Sequence, residues 1–228
     1  MKRSIITTAD GSKTIQIEEW NEQYHSVHGA LREAKHVYIK MGLHHFLNDN
    51  PNQKQLSVLE LGFGTGLNAM LTAIDKTAQH KLISYHGIEA YPISLKELEA
   101  LDYDALFEST ITFNQLHEIP WNQTHKISSN FQLNKRQEFF SELSESELFD
   151  VVYFDAFGPR VQPDLWTTDM FERVYKSMRP NGILVTYSAK GSVRRSMQEV
   201  GFVVERLPGP PGKREMLRSS RPAKALIF

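Results

Sequence analysis

The sequence predicts an α/β fold: a mostly parallel sheet with helices on both faces. Three observations carry that prediction. From residue 56 onward, short apolar runs suited to buried strands alternate with stretches of helical composition. A glycine-rich turn, Gly62-Phe63-Gly64-Thr65-Gly66, joins the first of these strands to a helix. The last two strands have no helix between them, only Pro208-Gly209-Pro210-Pro211-Gly212 and a basic stretch, so they pair antiparallel. A helix between two strands carries the chain back to the end where the first strand began. Repeated β-α units therefore stack as parallel strands buried on both faces.

Taken in order, residues 10–20 begin with an Asp-Gly turn signal and then alternate, which predicts a hairpin strand. Residues 29–47 read as a helix with Ala30, Ala34, Val37, Met41 and Phe46 among its apolar positions. Pro51-Asn52 breaks the chain, dividing an N-terminal extension (1–50) from the main domain (51–228). Seven strands are predicted, at 56–61, 82–88, 125–133, 148–155, 181–188, 201–207 and 223–228. Helices are predicted at 66–78, 92–107, 164–179 and 191–200. Pro180-Asn181-Gly182 reads as a helix stop and turn.

Composition narrows the chemistry. The chain has 228 residues, enough for one domain with a small addition, and 40% hydrophobic and 23% charged residues are ordinary for a globular protein. It has no cysteine, which excludes disulfides and thiolate catalysis. A zinc site would need histidines and carboxylates alone, yet the nine histidines show no H-E-x-x-H or comparable spacing, so no metal is expected. There is no apolar signal region and no run of 18 apolar residues, so a cytoplasmic protein without a membrane span is expected. The net charge of −1 conceals an asymmetry. Residues 190–228 hold nine Lys/Arg against three Glu, a balance of +6 that leaves −7 for the rest. The basic C-terminal part is a candidate polyanion-binding face, or a solvated surface of uneven charge.

The glycine turn carries most of the functional information. A strand, a glycine turn and a helix N-terminus build a backbone cradle for a nucleotide-like ligand. Here the spacing is G-x-G-x-G, and Leu67 stands where a dinucleotide fingerprint has its third glycine. Glu60 precedes Gly62 by two residues, and a carboxylate there suits a cationic ligand better than a pyrophosphate. S-adenosylmethionine, with a sulfonium and an ammonium, fits. Glu89, at the end of the second strand and 23 residues past Gly66, is placed to accept bonds from ribose hydroxyls. The third strand ends at Asn134-Lys135-Arg136-Gln137, either a plain turn or, by analogy with methyltransferases, a turn over the cofactor's adenine.

The fourth strand ends Asp155-Ala156-Phe157-Gly158-Pro159, an acid followed by an aromatic and a proline. The acid either is a helix-capping aspartate or, as the stretch resembles the catalytic loop of amino-group methyltransferases, handles an amine. Methyl transfer from a sulfonium is an in-line displacement that needs an unprotonated, oriented amine. Asp155 is the residue to orient that amine and accept its proton. Phe157 and Trp166 either stack on a flat substrate or belong to the core. After the fifth strand, Tyr187, Ser188 and Lys190 sit beside this loop. Arg194 and Arg195 follow, and Lys213, Arg214, Arg218 and Arg221 occupy a stretch read as a phosphate-gripping or simply exposed basic loop.

Together these segments make the chain similar to a known family. Tyr24-His25-Ser26-Val27-His28-Gly29-Ala30 with Glu33 and His36-Val37-Tyr38, then Glu60–Asn68, Phe154–Pro159, Pro163–Trp166, Thr186–Gly191 and Pro208–Met216 resemble the methyltransferase half of bacterial tRNA 5-methylaminomethyl-2-thiouridine biosynthesis proteins (MnmC type) and their stand-alone relatives. The resemblance implies a Rossmann-like class I S-adenosylmethionine-dependent methyltransferase fold. It implies methylation of the 5-aminomethyl group of the wobble uridine, position 34 of tRNA. It places Glu60, Gly62, Gly64, Gly66 and Asn68 on the methionine side of the cofactor, Glu89 on its ribose, and Asp155 beside both cofactor and substrate. The 29–38 segment, with Glu33 facing inward, would cover the cofactor pocket. The implied partners are tRNA at its anticodon loop and, at most, a separate flavin oxidase, since this chain has no room for the oxidase half. Besides a nicotinamide dehydrogenase, weakened by Leu67 in place of a third glycine, two rival readings remain at this stage. One is an aminopropyltransferase of the spermidine synthase type, disfavoured by the basic C-terminal face. The other is a non-catalytic RNA-binding protein on the same fold.

Overall fold

A computed structural model describes residues 2–223. The N-terminal segment forms a small antiparallel sheet from β1 (Arg3–Thr7), β2 (Lys13–Ile17) and β3 (Glu22–Gln23). A helical run follows, made of α1 (Ala30–Ala34), a π-helical stretch Lys35–His44 and α2 (His45–Asp49). Backbone angles at both junctions are right-handed helical, so the run is continuous.

The main sheet then begins with β4 (Gln55–Leu61), followed by α3 (Leu67–Ala73), β5 (Leu82–Ile88), α4 (Leu95–Leu101) and α5 (Phe113–Glu118). Next come β6 (Gln123–Lys126), β7 (Phe131–Arg136), β8 (Phe149–Phe154), α6 (Thr168–Ser177) and β9 (Met178–Thr186). The chain closes with α7 (Gly191–Val200), β10 (Val203–Pro208) and β11 (Glu215–Ser220). Among the described residues this sheet has eight strands in the order β10-β11-β9-β8-β4-β5-β7-β6. The inner strands β7, β5, β4, β8 and β9 run parallel, while β6, β10 and β11 are antiparallel to their neighbours.

Strand β8, Phe149-Asp150-Val151-Val152-Tyr153-Phe154, explains the layering. All six residues are buried, and successive side chains point to opposite faces. Val151 and Tyr153 join the cluster of Val37, Tyr38, Val58, Met70 and Val185, where the N-terminal helical run covers the sheet. Val152 and Phe154 join Leu59, Leu61, Phe171, Val193 and Met197 on the face covered by α6 and α7. The α/β fold with a closing antiparallel hairpin therefore stands as the sequence predicts.

Besides β1, β3 and α5, which the sequence reading does not place, four details differ. The strand expected at 125–133 is a tight hairpin, β6 and β7, turning through Ser128-Ser129-Asn130, with Ile127 N donating to Phe131 O at 2.9 Å. This raises the strand count from seven to eight. The last strand is β11, not 223–228, of which all but the first residue lies outside the described residues. The stretch 164–179 divides into a short turn (Pro163–Trp166) and α6, whose end runs straight into β9. Pro180-Asn181-Gly182 lies within β9 as an irregularity opposite Phe149 and Val151, with Asn181 at φ 65°.

The placement of β11 also changes the reading of the basic loop. Arg218 is on the strand and pairs with Glu205 at 2.8 Å. Arg221 is buried, donating to the carbonyls of Tyr175 (3.2 Å), Lys176 (3.4 Å) and Met178 and to Glu147 (2.7 Å). Neither grips phosphate; only Lys213 and Arg214 remain on the connecting loop. We expect Arg221→Ala to lower the unfolding free energy by about 2–4 kcal/mol, because buried carbonyls and Glu147 lose their donor together. Urea denaturation measures this, and a change below about 0.5 kcal/mol would show that water replaces the guanidinium without penalty.

Candidate active site

In an open parallel sheet, ligands bind outside the carboxyl ends of the strands where the strand order reverses. Here the chain builds β4, β5 and β7 to one side and β8 and β9 to the other, so the reversal lies between β4 and β8. The two strand ends meet closely: Asp155 N donates to Leu61 O at 2.9 Å. Gly62 follows with φ 98°, and a Cβ there would lie 2.5 Å from the Asp155 carbonyl. Only glycine allows that approach, and the approach is what sets Glu60 and Asp155 side by side.

Asn68, in the first turn of α3, bridges the two acids. Its Nδ2 donates to Glu60 Oε1 at 2.8 Å and to Asp155 Oδ2 at 2.9 Å. The remaining oxygens take tyrosines: Tyr85 donates to Glu60 Oε2 at 2.7 Å, and Tyr38 to Asp155 Oδ1 at 2.5 Å. Burial raises the pKa of Glu60 well above the usual carboxylate range, against the donations of Tyr85 and Asn68. Burial pushes Asp155 up to about 7, with the Tyr38 hydrogen bond holding it down and the charge of Glu33 adding to the rise. Burial and the neighbouring carboxylates also raise Tyr38 and Tyr85, so both phenols stay protonated donors. Asn68 Oδ1 is buried and has no hydrogen-bond partner among the described residues.

These groups open into a cavity of about 450 Å³. On one side Glu89 accepts from Gly64 N (3.0 Å) and Tyr91 N (2.9 Å), which ties the second strand's end to the glycine turn; burial raises its pKa. On the other, Phe157 meets Tyr24 and Trp20 edge-on, with ring centroids 5.0 and 5.5 Å apart. Arg160 fastens this aromatic cluster by donating to Trp20 O at 2.9 Å and to Glu22. Glu33, from α1, accepts from Ser26 N at 2.7 Å and from Lys213 Nζ at 2.5 Å.

Of the residues the sequence singles out, Glu33, Glu60, Gly62, Gly64, Asn68, Glu89, Asp155, Phe157, Tyr187 and Lys213 line this one cavity. Gly66, Trp166, Lys190 and Arg214 do not. Gly66 caps α3 at φ 76°. Trp166 resolves as core: it is buried against Phe154 and donates Nε1 to Phe157 O at 2.8 Å, so it braces the loop instead of stacking on a ligand. Lys190 and Arg214 are exposed. The third strand's end also departs from expectation. Lys135 is fully buried, donating to His117 O at 2.7 Å, and Arg136 pairs with Glu145; Phe139, Phe140 and Ser141 line the cavity in their place. His25 lies 2.9 Å from Thr65 Oγ1, and burial lowers its pKa to about 4. No group of three metal-binding side chains occurs among the described residues.

Sequence reasoning missed Trp20, Tyr38 and Tyr85. Tyr38 and Tyr85 occupy positions with the periodicity of core residues, and only the hydroxyl, wasted in a purely apolar core, hints at a buried acceptor.

The cavity has the chemistry to take a cationic nucleoside. Five carboxylates (Glu22, Glu33, Glu60, Glu89, Asp155) face two cations (Arg3, Lys213), and Asn68 Oδ1 is an unused acceptor. With the glycine cradle at a strand-order reversal, these features define a nucleoside-binding α/β transferase whose residues fit S-adenosylmethionine. Comparison with known proteins agrees. A profile described as S-adenosyl-L-methionine-dependent methyltransferase matches residues 95–222, more than half of the chain, and the chain belongs to that family. S-adenosylmethionine is its cofactor.

Curated relatives are more particular. The chain is 26% identical over 215 residues to the tRNA 5-methylaminomethyl-2-thiouridine biosynthesis bifunctional protein MnmC of Ralstonia nicotianae, covering 89% of this chain and 32% of the relative. It is 28% identical over 214 residues to the protein of the same name from Cupriavidus necator, covering 88% and 32%. It thus spans about a third of the length of the relatives it matches. The crystal structure of MNMC2 from Aquifex aeolicus superposes with a TM-score of 0.76 at 24% identity, covering 97% of this chain and 71% of that one. Spermidine synthase from Thermotoga maritima superposes at 0.57 and 14% identity, over 96% and 68%. Both likenesses are of fold.

Tyr38→Phe removes the donor that holds the Asp155 pKa down. We expect the Asp155 midpoint to rise above its value of about 7, so that the ionised carboxylate disappears at a higher pH. A carbon-13 titration of the carboxyl group in both proteins measures this, and an unmoved midpoint would break the link between phenol and acid.

Proposed function

We propose that this chain methylates the primary amine of a 5-aminomethyl group on the wobble uridine, position 34, of tRNA. The observation that carries the proposal is the Asp155 carboxylate, clamped by Tyr38 and Asn68 at the mouth of the cofactor cradle and followed at once by an aromatic surface. Support also comes from the curated relatives, whose names refer to tRNA 5-methylaminomethyl-2-thiouridine biosynthesis.

The residues divide the work. The turn through Gly62 and Gly64, with Glu60, Asn68 and Glu89, would hold the cofactor. When bound, that cofactor supplies a methyl group on a sulfonium. Asp155 accepts a hydrogen bond from the substrate amine and so aims its lone pair. It is also the acceptor for the proton that nitrogen sheds as it gains a carbon, and a carboxyl with pKa about 7 matches a neutral working pH. The free amine resembles lysine, with a pKa of about 10.4, so it arrives mostly as ammonium and loses one proton to the site or the solvent before its lone pair can attack. An acidic cavity draws in that form. Phe157, with Trp20 and Tyr24 beside it, offers an aromatic face to a base splayed from the anticodon loop. Lys190, Arg195 and Arg214 are exposed and are cations available to phosphates.

Acidic lining and fold likeness also suit polyamine aminopropyl transfer, and the basic C-terminal residues lie mostly outside the cavity, so they do not argue against it. Putrescine with decarboxylated cofactor is therefore the control, and robust turnover would replace the tRNA reading.

The deciding experiment is transfer of labelled methyl from S-adenosylmethionine to total tRNA lacking the modification, followed by nucleoside mass spectrometry. Label in 5-methylaminomethyluridine or its 2-thio form is expected; unlabelled tRNA with intact cofactor binding would overturn the assignment. Asp155→Asn should lower the transfer rate at least about 100-fold while cofactor affinity changes little. Unchanged turnover would remove Asp155 from the mechanism. Affinity for tRNA should fall steeply between 50 and 200 mM salt, as phosphate contacts require.

A further inference from the structure

One cation inside the cavity is held as a ligand would be. Lys213 Nζ lies 2.5 Å from Glu33 Oε1 and 3.8 Å above the centroid of the Tyr187 ring. A carboxylate and an aromatic face are the two groups that together recognise an ammonium. Neither is positioned by the lysine. Glu33 is 7% exposed, and its other oxygen is fixed by Ser26 N at 2.7 Å. Tyr187 is fixed by its hydroxyl, which donates to Ala156 O at 2.8 Å, one residue from Asp155. The cage is therefore built by the scaffold. Its occupant is the end of a long side chain on the loop between β10 and β11, with 31% of that side chain exposed.

We propose that Glu33 and the face of Tyr187 form a subsite for a primary ammonium, and that Lys213 is its resident occupant, displaced when a substrate amine enters. The identification of that amine as the 5-aminomethyl group rests on the function proposed above; the subsite does not. The electrostatics require an exchange of this kind. Glu33 is a buried carboxylate, and leaving it without a cation carries a large desolvation penalty. A lysine ammonium satisfies it between turnovers, and a substrate ammonium of the same charge and hydrogen-bonding capacity satisfies it during them. The exchange also places the amine beside Asp155, since the ring that forms one wall of the cage is bonded to the residue next to that acid. Glu33, whose resemblance-based role was to cover the cofactor, becomes a residue that selects substrates bearing a primary amine.

The test uses the full chain saturated with S-adenosylhomocysteine and the probe ethylammonium, with 1-propanol as the neutral control. In the wild-type protein carrying carbon-13 lysine, saturating ethylammonium should move the Lys213 ε-carbon signal toward the position of an exposed lysine. Propanol should not move it. In Lys213→Met, calorimetry should show ethylammonium binding about tenfold tighter than in wild type, because the competitor is gone. Adding Glu33→Gln should abolish that binding, and Tyr187→Leu should weaken it about tenfold. A static Lys213 signal under saturating probe would overturn the proposal without relying on any variant. So would ethylammonium binding that ignores Glu33, or a Glu33→Gln variant that loses affinity for S-adenosylmethionine instead, which would assign the carboxylate to the cofactor's own ammonium. Ethylammonium capture through Glu33 in a protein that leaves tRNA unlabelled supports the subsite and rejects only the uridine substrate.

Discussion

The site depends on one side chain holding two like charges together. Glu60 and Asp155 emerge from adjacent parallel strands at the point where the strand order reverses, and in a buried setting two carboxylates at that spacing repel. The Asn68 amide spends both N–H groups on them, one each. Tyr85 and Tyr38 complete the chain of donors at either end. The arrangement keeps each acid oriented, buries both so that their pKa values rise, and leaves the amide oxygen without a partner among the described residues. The cofactor cradle and the carboxylate proposed to take the amine proton are thus two ends of a single hydrogen-bonded structure.

The N-terminal segment makes that structure a closed site. Without it the strand ends of the main sheet would open to solvent. Tyr38 reaches Asp155 from the π-helical stretch, where looser winding is found often at functional sites. Trp20 and Tyr24, around β3, cover Phe157, and Glu33 brings a further carboxylate from α1. The helical run shares its apolar cluster with the central strands, so the cover and the sheet form one core. Charge interactions are stronger among buried groups than in water, which suits the proton-acceptor role proposed for Asp155.

Cations on the C-terminal hairpin serve three separate purposes despite lying close in sequence. Arg221 closes buried carbonyls, Arg218 pairs across the hairpin with Glu205, and Lys213 turns inward to Glu33. Among the described residues of this hairpin, Arg214 and Arg206 stay exposed, and Arg206 pairs with Glu215 at 3.7 Å. A charge count over this stretch therefore overstates the surface open to a polyanion, because desolvated and paired guanidinium groups no longer contribute to the external field.

The sequence by itself determined the strand-turn-helix cradle, the parallel sheet with its closing hairpin, and three of the acids: Glu60, Glu89 and Asp155. These follow from local patterns, since glycine spacing, apolar runs and strand ends are properties of short windows. It did not separate β6 from β7, whose turn is three polar residues with neither proline nor glycine, and it placed the final strand too late because Glu215–Ser220 carries its burial among charged neighbours. Only the tertiary structure decided which tyrosines are donors, that Trp166 is a brace, and that Lys213 faces a carboxylate 180 residues earlier. Those assignments depend on contacts between distant segments. A side chain's chemistry is set by what the fold places within hydrogen-bonding distance, and periodicity does not encode that distance.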